Sequence, residues 1–394
     1  MAKTTKSKEE ELMATMGVTK RSEKMSTGLL VFDIVTNGGI QKGKMYELAS
    51  SSGLGKSTLV LSICANLCTQ GYRVLYLDYE GAVSDSQLDG MGLREHLYTG
   101  EDRENHRFHL FTPSTYDQGD EIISTLVPSK EFDLVVVDSV TAMVSDKYID
   151  ETGKNLKISD VRPGQDARLL SIFLKKCTAD KKLYNTAFMF INQLRTNINM
   201  MGGPSKQEST GGLAMQFYPD ARLKLTPIQG VYRNRTTING TEKVLIGREV
   251  GLEAAKNKMG FGQIKVPLTV LFGVGISNIA TYIQWMPNKT IMYEEKEIPM
   301  LKQGGAWYTV TLPSGQYKVN GQDKLNNFVK EHYEEISSCF DESDFRIMQD
   351  DEIQKESMEF EKGNIETIAN LEYEDPTEEV PENVDPETGE ILDE

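Results

Sequence analysis

The sequence predicts an α/β protein with a mostly parallel central sheet, and three observations carry that reading. Short, nearly continuous apolar runs ("KMYELA", "RVLYLDYE", "RFHLFTP", "FDLVVVDSV" and "TAFMFINQ") alternate with helical stretches. Strands that are apolar throughout belong to sheets covered on both faces, as parallel sheets are. A Ser/Gly-rich loop, "SSSGLGKST", joins the first run to a helical stretch from Lys56 to Gln70. The acidity is confined to one end: residues 341–394 hold 21 acidic and 3 basic residues, against 59 and 43 in the whole chain. The net charge of −16 therefore belongs to the tail, and the slightly basic body remains open to nucleic acid.

In chain order, residues 5–16 predict a short helix, with Leu12, Met13 and Met16 at helical spacing. The core runs from 25 to 277. After the helix "DARLLSIFLKKCTADKK" and the strand "TAFMFINQ", the stretches "ARLKLTPI", "EKVLIGREVGLEAAKNK" and "QIKVPLTVLFG" read as strands joined by hairpins. Residues 278–340 predict a small α/β subdomain, and residues 341–394 a disordered acidic tail with Pro376, Pro381 and Pro386. Cys64, Cys68, Cys177 and Cys339 form no CxxC pair, and the four histidines have no ligand spacing, so a structural zinc site is not expected. The N-terminus has no apolar core for a signal peptide, and the uncharged run from Val266 is broken by Pro267 and glycines. A soluble, cytoplasmic protein without membrane contact is the expectation.

The loop resembles a phosphate-binding loop with an altered first letter. The usual form is Gly, four residues, Gly-Lys, then Ser or Thr. Here Ser50 stands first, followed by Ser51, Ser52, Gly53, Leu54, Gly55, Lys56, Ser57 and Thr58. Gly55 lets backbone N–H groups curl toward phosphate, Lys56 pairs with the β and γ phosphates, and the Ser57 hydroxyl holds Mg²⁺. A Ser/Gly turn capping a helix is the plainer alternative, and the strand–loop–helix context favours the nucleotide. Losing the first Gly removes an easy positive-φ position, which Ser50 compensates if its own backbone angles are ordinary. Asp138, ending "LVVVD", suits a Mg²⁺-orienting acid. Glu80, ending "LYLDYE", suits a base for the attacking water, with Asp78 its nearest competitor. Gln193, ending "FINQ", suits a γ-phosphate sensor; each of these taken alone is also an ordinary polar strand end.

With those residues in place, the chain resembles the RecA family of homologous-recombination ATPases, its phage-type branch included. The likeness runs from "MSTGLLVFDIVTNGGIQKGKMYELA" through the loop, "LYLDYE", "LVVVDSV", "FMFINQLR", "STGGLAMQFYPDARLKL", "AAKNKMG", "LFGVGIS" and "GGAWY". It implies a P-loop NTPase with a RecA-like core that uses ATP and Mg²⁺. Glu80 then matches the catalytic glutamate, Asp138 the Mg²⁺ acid, and Ser139 and Gln193 the links from γ-phosphate to the DNA loops. Lys256 and Lys258 match two lysines that reach a neighbouring subunit's ATP; otherwise they are solvated charges on a strand edge. Residues 1–24 match a shortened oligomerisation segment, and Ser84 and Gln87 replace the residues that hold adenine.

The same resemblance implies the DNA contacts. Arg168, Ser171 and Lys175, spaced i, i+3, i+7, share one helical face and match phosphate-contacting positions in and after the first DNA loop. The second loop spans about Thr196 to Ser209. Its Ile198 matches a wedge between bases, near the apolar Met200 and Met201, and Arg195, Gly211 and Gly212 match phosphate contacts. The implied activity is filament formation on single-stranded DNA and strand exchange with double-stranded DNA. A single-strand-binding protein and a mediator are implied accessory partners. A hexameric RecA-fold helicase and a non-hydrolysing filament regulator are the alternatives. The tail would compete with DNA for the basic body, an effect weakened by salt.

Overall fold

In the computed structural model, which describes residues 23–145, 165–197, 206–209, 212–237, 240–258 and 265–340, the apolar runs become strands of one large sheet. A small antiparallel pair, β1 (Lys24–Met25) and β2 (Ile40–Gln41), brackets helix α1 (Leu30–Thr36). There follow β3 (Met45–Ser50), α2 (Lys56–Thr69), β4 (Val74–Asp78), α3 (Asp85–Gly90), β5 (Phe108–Phe111) and α4 (Tyr116–Leu126). Then come β6 (Leu134–Asp138), α5 (Gln165–Tyr184), β7 (Ala187–Asn197), β8 (Lys206–Ser209) and α6 (Gly212–Phe217). The core closes with β9 (Ala221–Thr237), β10 (Gly240–Asn257), β11 (Lys265–Leu271) and β12 (Gly275–Ser277). The expected helix at 5–16 and the tail at 341–394 lie outside the described residues.

The strand order is β12-β11-β10-β9-β3-β7-β6-β4-β5, with β9, β3, β7, β6, β4 and β5 joined by parallel pairings. Every residue of β3, β4 and β6 is buried, because helices cover both faces. Alternation splits the side chains. Tyr46, Leu48, Tyr76, Val136 and Ile191 pack in one core with Leu59 and Ile63 of α2. Met45, Leu77, Val135, Phe188 and Phe190 pack in a second with α4 and α5. Each such side chain contributes on the order of 2 kcal/mol by leaving water.

The parallel register also aligns strand ends. Asp78 lies opposite Asp138, and Ser50 opposite Gln193, so four polar side chains share the carboxyl edge of the sheet. β4 stops at Asp78, two residues short of the sequence expectation. There the Tyr79 N–H turns to the Asp138 carbonyl (2.6 Å), and Asp78 Oδ2 accepts the Val83 N–H (2.9 Å).

β9 runs further than its apolar pattern suggests, whereas β10 spans the expected stretch. β9 continues through Pro227 and Gly230 to Thr237, and β11 leaves the hairpin at Gly247. The pairs from Tyr232↔Leu245 to Thr237↔Gly240 therefore stand beyond the sheet as a two-stranded ribbon. Pro227, which has no N–H to give, falls at a register shift opposite Val250, where the ladder tolerates it.

A third core, with Tyr282, Met286, Val310, Leu312, Leu325, Val329 and Ile336, holds α7 (Asn278–Trp285) and β13–β17 (Thr290–Tyr293, Lys296–Pro299, Leu301–Gly304, Trp307–Leu312, Gly315–Asn320). It also takes in α8 (Gln322–Glu331) and α9 (Tyr333–Ser338). Asn278 stitches it to the body, donating to Gly28 O (2.7 Å) and accepting from Leu30 N (3.3 Å).

His109 on β5 is buried between Tyr98, which stacks at 4.5 Å, and Phe132 at 5.0 Å. Burial first, then the charges of Arg73 and Arg103, lower its pKa to about 4. A depressed histidine keeps its full contribution above the unfolded value near 6.5 and loses it as pH falls toward 4. Urea titrations should show about 2 kcal/mol less stability at pH 4.5 than at pH 7 from this group. His109→Phe should flatten that part of the acid limb; an identical acid dependence in the variant would contradict the assignment.

Candidate functional site

Ser50 ends β3 fully buried and with no positive φ, so the usual first glycine is not needed for backbone reasons. Its hydroxyl donates to Ser51 O (2.7 Å) and accepts from Lys56 Nζ (3.2 Å). Lys56 also reaches Ser50 O (3.3 Å) and Ser51 O (3.2 Å), so the loop's own oxygens hold the ammonium in place. Burial lowers the Lys56 pKa, while the nearby charges of Asp138 and Glu80 oppose that. Buried Leu54 anchors the loop in the core. The left-handed positions fall on Gly53 (φ 75°) and Gly55 (φ 85°). A Cβ at Gly55 would also meet Val270 Cγ1 of β11 at 2.7 Å, so that glycine is required twice over. Gly55 caps α2 with no side-chain hydrogen bond, leaving the first N–H groups of a 14-residue helix for an anion. Ser57 and Thr58 lie in its first turn.

Asp138 is buried, and its Oδ2 accepts the Tyr76 hydroxyl (2.6 Å). Burial raises its pKa to about 6, against hydrogen bonds from Tyr76 and Ser57. A carboxylate that burial makes costly to ionise is one that a cation would relieve. Asp78 Oδ1 beside it finds no hydrogen-bond partner among the described residues. One or two carboxylates and a hydroxyl, completed by phosphate oxygens and water, is a donor set that fits Mg²⁺. Ser139 Oγ hydrogen-bonds both Glu80 Oε1 and Thr141 Oγ1, the latter at 2.6 Å. The two candidate bases thus differ: Asp78 is buried and tied to the loop at Val83, whereas Glu80 is exposed and reaches across to Ser139. Gln193 stands at the same edge, its N–H bonded to Asn192 Oδ1 (2.8 Å).

Lys256 and Lys258 stand elsewhere. Asn257 pairs with Ala221, which pairs with Tyr46, so they flank the amino end of β3, about 13 Å of strand from Ser50. Their ammonium groups bond the carbonyls of Gln216 and Phe217, with Lys258 at 3.1 Å from the latter. The Phe217 ring beside them is 64% exposed.

On α5, Arg168 and Lys175 are exposed, while Leu170, Phe173, Leu174 and Cys177 face the second core. Ser171 Oγ donates to Ala167 O (2.8 Å) within the helix and keeps its acceptor positions. The stem of the second loop is an antiparallel ladder from Leu194↔Ser209 to Asn197↔Lys206, which includes Arg195. Gly212 opens α6. Ile198, Met200, Met201 and Gly211 lie outside the described residues.

Ser84 and Gln87 engage each other. Ser84 caps α3, with its N–H on Gln87 Oε1 (2.9 Å) and the Gln87 N–H on its hydroxyl (3.3 Å). A residue that the sequence reading does not single out follows a contact of the loop. Phe272, in the β11–β12 turn, follows by two the Val270 that abuts Gly55, and its ring is 48% exposed. The same turn presses on α3, where a Cβ at Gly90 would overlap Gly273 O. An aromatic just before a Gly in "LFGVG" was the available signal.

A lysine-bearing loop between β3 and α2, a strand-end acid two strands away across β7, and a glutamate after β4 define a P-loop nucleotide-binding protein. The chain belongs to the RecA family: the family model described as RecA N-terminal domain matches residues 5–277. Among relatives named Protein RecA, that of Bdellovibrio bacteriovorus is 31% identical over 325 residues, covering 82% of this chain and 76% of its own. Those of Delftia acidovorans and Thioalkalivibrio sulfidiphilus are each 32% identical, covering 78% and 79% of this chain and 74% and 81% of theirs.

Proposed function

We infer that this chain is a DNA-dependent ATPase that forms filaments on single-stranded DNA and exchanges strands with a homologous duplex. The observation that carries the reading is a division of the site. The phosphate loop, Asp138, Glu80 and Gln193 share one edge of the sheet, while Lys256 and Lys258 flank the opposite edge, too far to serve the same nucleotide. ATP completed by a second copy makes nucleotide binding a condition of assembly. Lys56 and the α2 N–H groups hold the β and γ phosphates, and Phe272 offers a face to the base. Ser57 and Asp138 would hold Mg²⁺, which would supply positive charge against the phosphate oxygens. Glu80 takes a proton from the water that attacks the γ-phosphorus, the bond to the ADP oxygen breaks, and Ser139 orients the glutamate.

The exposed cations of α5 suit a phosphate backbone read without regard to sequence. Single-strand-binding and loading proteins would meet the filament on the same strand. No described helix is long and apolar enough to cross a membrane. The test is strand exchange between homologous single-stranded circles and linear duplex with ATP and Mg²⁺. Joint molecules should form with this chain and not with Lys56→Ala. ATP turnover without joint molecules would overturn the reading.

A further inference from the structure

Tyr79 separates the two acids at the end of β4 and is committed to the interior. Its N–H bonds Asp138 O, and its ring packs beside the second core. Its hydroxyl is buried with no hydrogen-bond partner among the described residues, and burial raises its pKa well above the ordinary range, so it keeps its proton. The hydroxyl abuts Gly119, inside α4. A Cβ there would overlap it and stand 2.9 Å from Tyr79 Cζ. Gly119 has no positive φ, so its backbone accepts any residue, and glycine in a helix interior costs about 1 kcal/mol relative to alanine. The space it leaves is the space Tyr79 fills.

The next residue, Asp120, pairs with Lys176 of α5, adjacent to Lys175. A surface ion pair next to Lys175 therefore ties α5 to the turn of α4 in which Gly119 holds Tyr79, the residue that precedes Glu80. We propose that Tyr79 is a positioning residue: seated against Gly119 of α4, it sets where Glu80 lies over the γ-phosphate and passes the engagement of DNA by α5 to that glutamate. Close-packed interiors transmit such displacements instead of absorbing them, and a misplacement of about 1 Å at a reacting group costs on the order of 100-fold in rate. The proposal rests on Glu80 being the catalytic base.

The experiment measures DNA-stimulated ATPase kcat and KM, with melting temperature, for the full chain and five variants. Gly119→Ala should lower kcat about 10- to 100-fold with KM for ATP within about twofold, because the ring must tilt and carry Glu80 with it. Tyr79→Phe, which keeps the ring, should stay within about twofold of the parent. Tyr79→Phe with Gly119→Ala loses the hydroxyl overlap but keeps the 2.9 Å approach of Cβ to the ring carbon, so it should recover part of the lost kcat. Tyr79→Leu keeps Gly119 but leaves the contact, and should lower kcat at least fivefold; it serves also if Gly119→Ala does not fold. A folded Gly119→Ala or Tyr79→Leu chain with parental kcat overturns the proposal, as does a folded double variant as slow as Gly119→Ala. The fifth variant, Glu80→Gln, separates the two levels: if it retains turnover, the catalytic reading itself fails, whereas lost turnover with Gly119→Ala at parental rate sinks only the coupling.

Discussion

Glu80→Gln will lower DNA-stimulated ATP hydrolysis by about 10²- to 10⁴-fold while leaving ATP binding and assembly on DNA in place. The amide keeps the shape of the carboxylate and still accepts the hydrogen bond from Ser139 Oγ, but it cannot take the proton of the attacking water. Lys56, the open N–H groups of α2 and the two opposite-edge lysines are untouched, so nucleotide binding should survive. Filaments of the variant should therefore outlast those of the parent once free protein is diluted. Asp78→Asn is the control. Asp78 is buried, and its Oδ1 has no hydrogen-bond partner among the described residues, so an amide NH₂ left unpaired there should lower thermal stability more than it lowers turnover per folded chain. Steady-state kinetics and electron microscopy after dilution measure both. Turnover by Glu80→Gln within threefold of the parent would remove Glu80 from the chemistry.

The sequence reveals the central strands because they are buried on both faces: "VLYLD" and "LVVVD" have no polar face to obscure them. The phosphate loop is legible for a different reason, since Gly53 and Gly55 occupy the two left-handed positions that glycine favours. What stays hidden depends on distant segments. β9 reaches the ribbon across Gly230, which locally reads as a strand break, and pairing with β10 carries the strand through it. Phe272 reads as an ordinary strand end until Val270 is seen against Gly55, more than 200 residues earlier. The resemblance implies that Ser84 and Gln87 replace the residues that hold adenine, whereas the capping box they form is a local pattern, legible as Ser-x-x-Gln. Nor does spacing along the chain disclose that Lys256 and Lys258 are turned away from their own phosphate loop; that follows from the antiparallel return of β10.

Because of that return, two inactive chains should repair each other. Lys56→Ala removes the cation on the β and γ phosphates but leaves Lys256 and Lys258 in place. Lys256→Ala with Lys258→Ala leaves the loop intact but removes the charges offered to the neighbour. Cations supplied across an interface are worth about 10³- to 10⁵-fold in phosphoryl transfer, so each chain alone should be nearly inert. In a head-to-tail assembly each junction takes its loop from one copy and its lysines from the next. An equimolar random mixture then makes about one junction in four from an intact loop and intact lysines, and hydrolysis should return to about a quarter of the parental rate per chain. If the lysines served their own nucleotide, no pairing could restore a complete site and the mixture would stay as inactive as its parts. The 13 Å of strand between the lysines and Ser50 is what sets these outcomes apart: about four residues of β3, more than a lysine side chain spans.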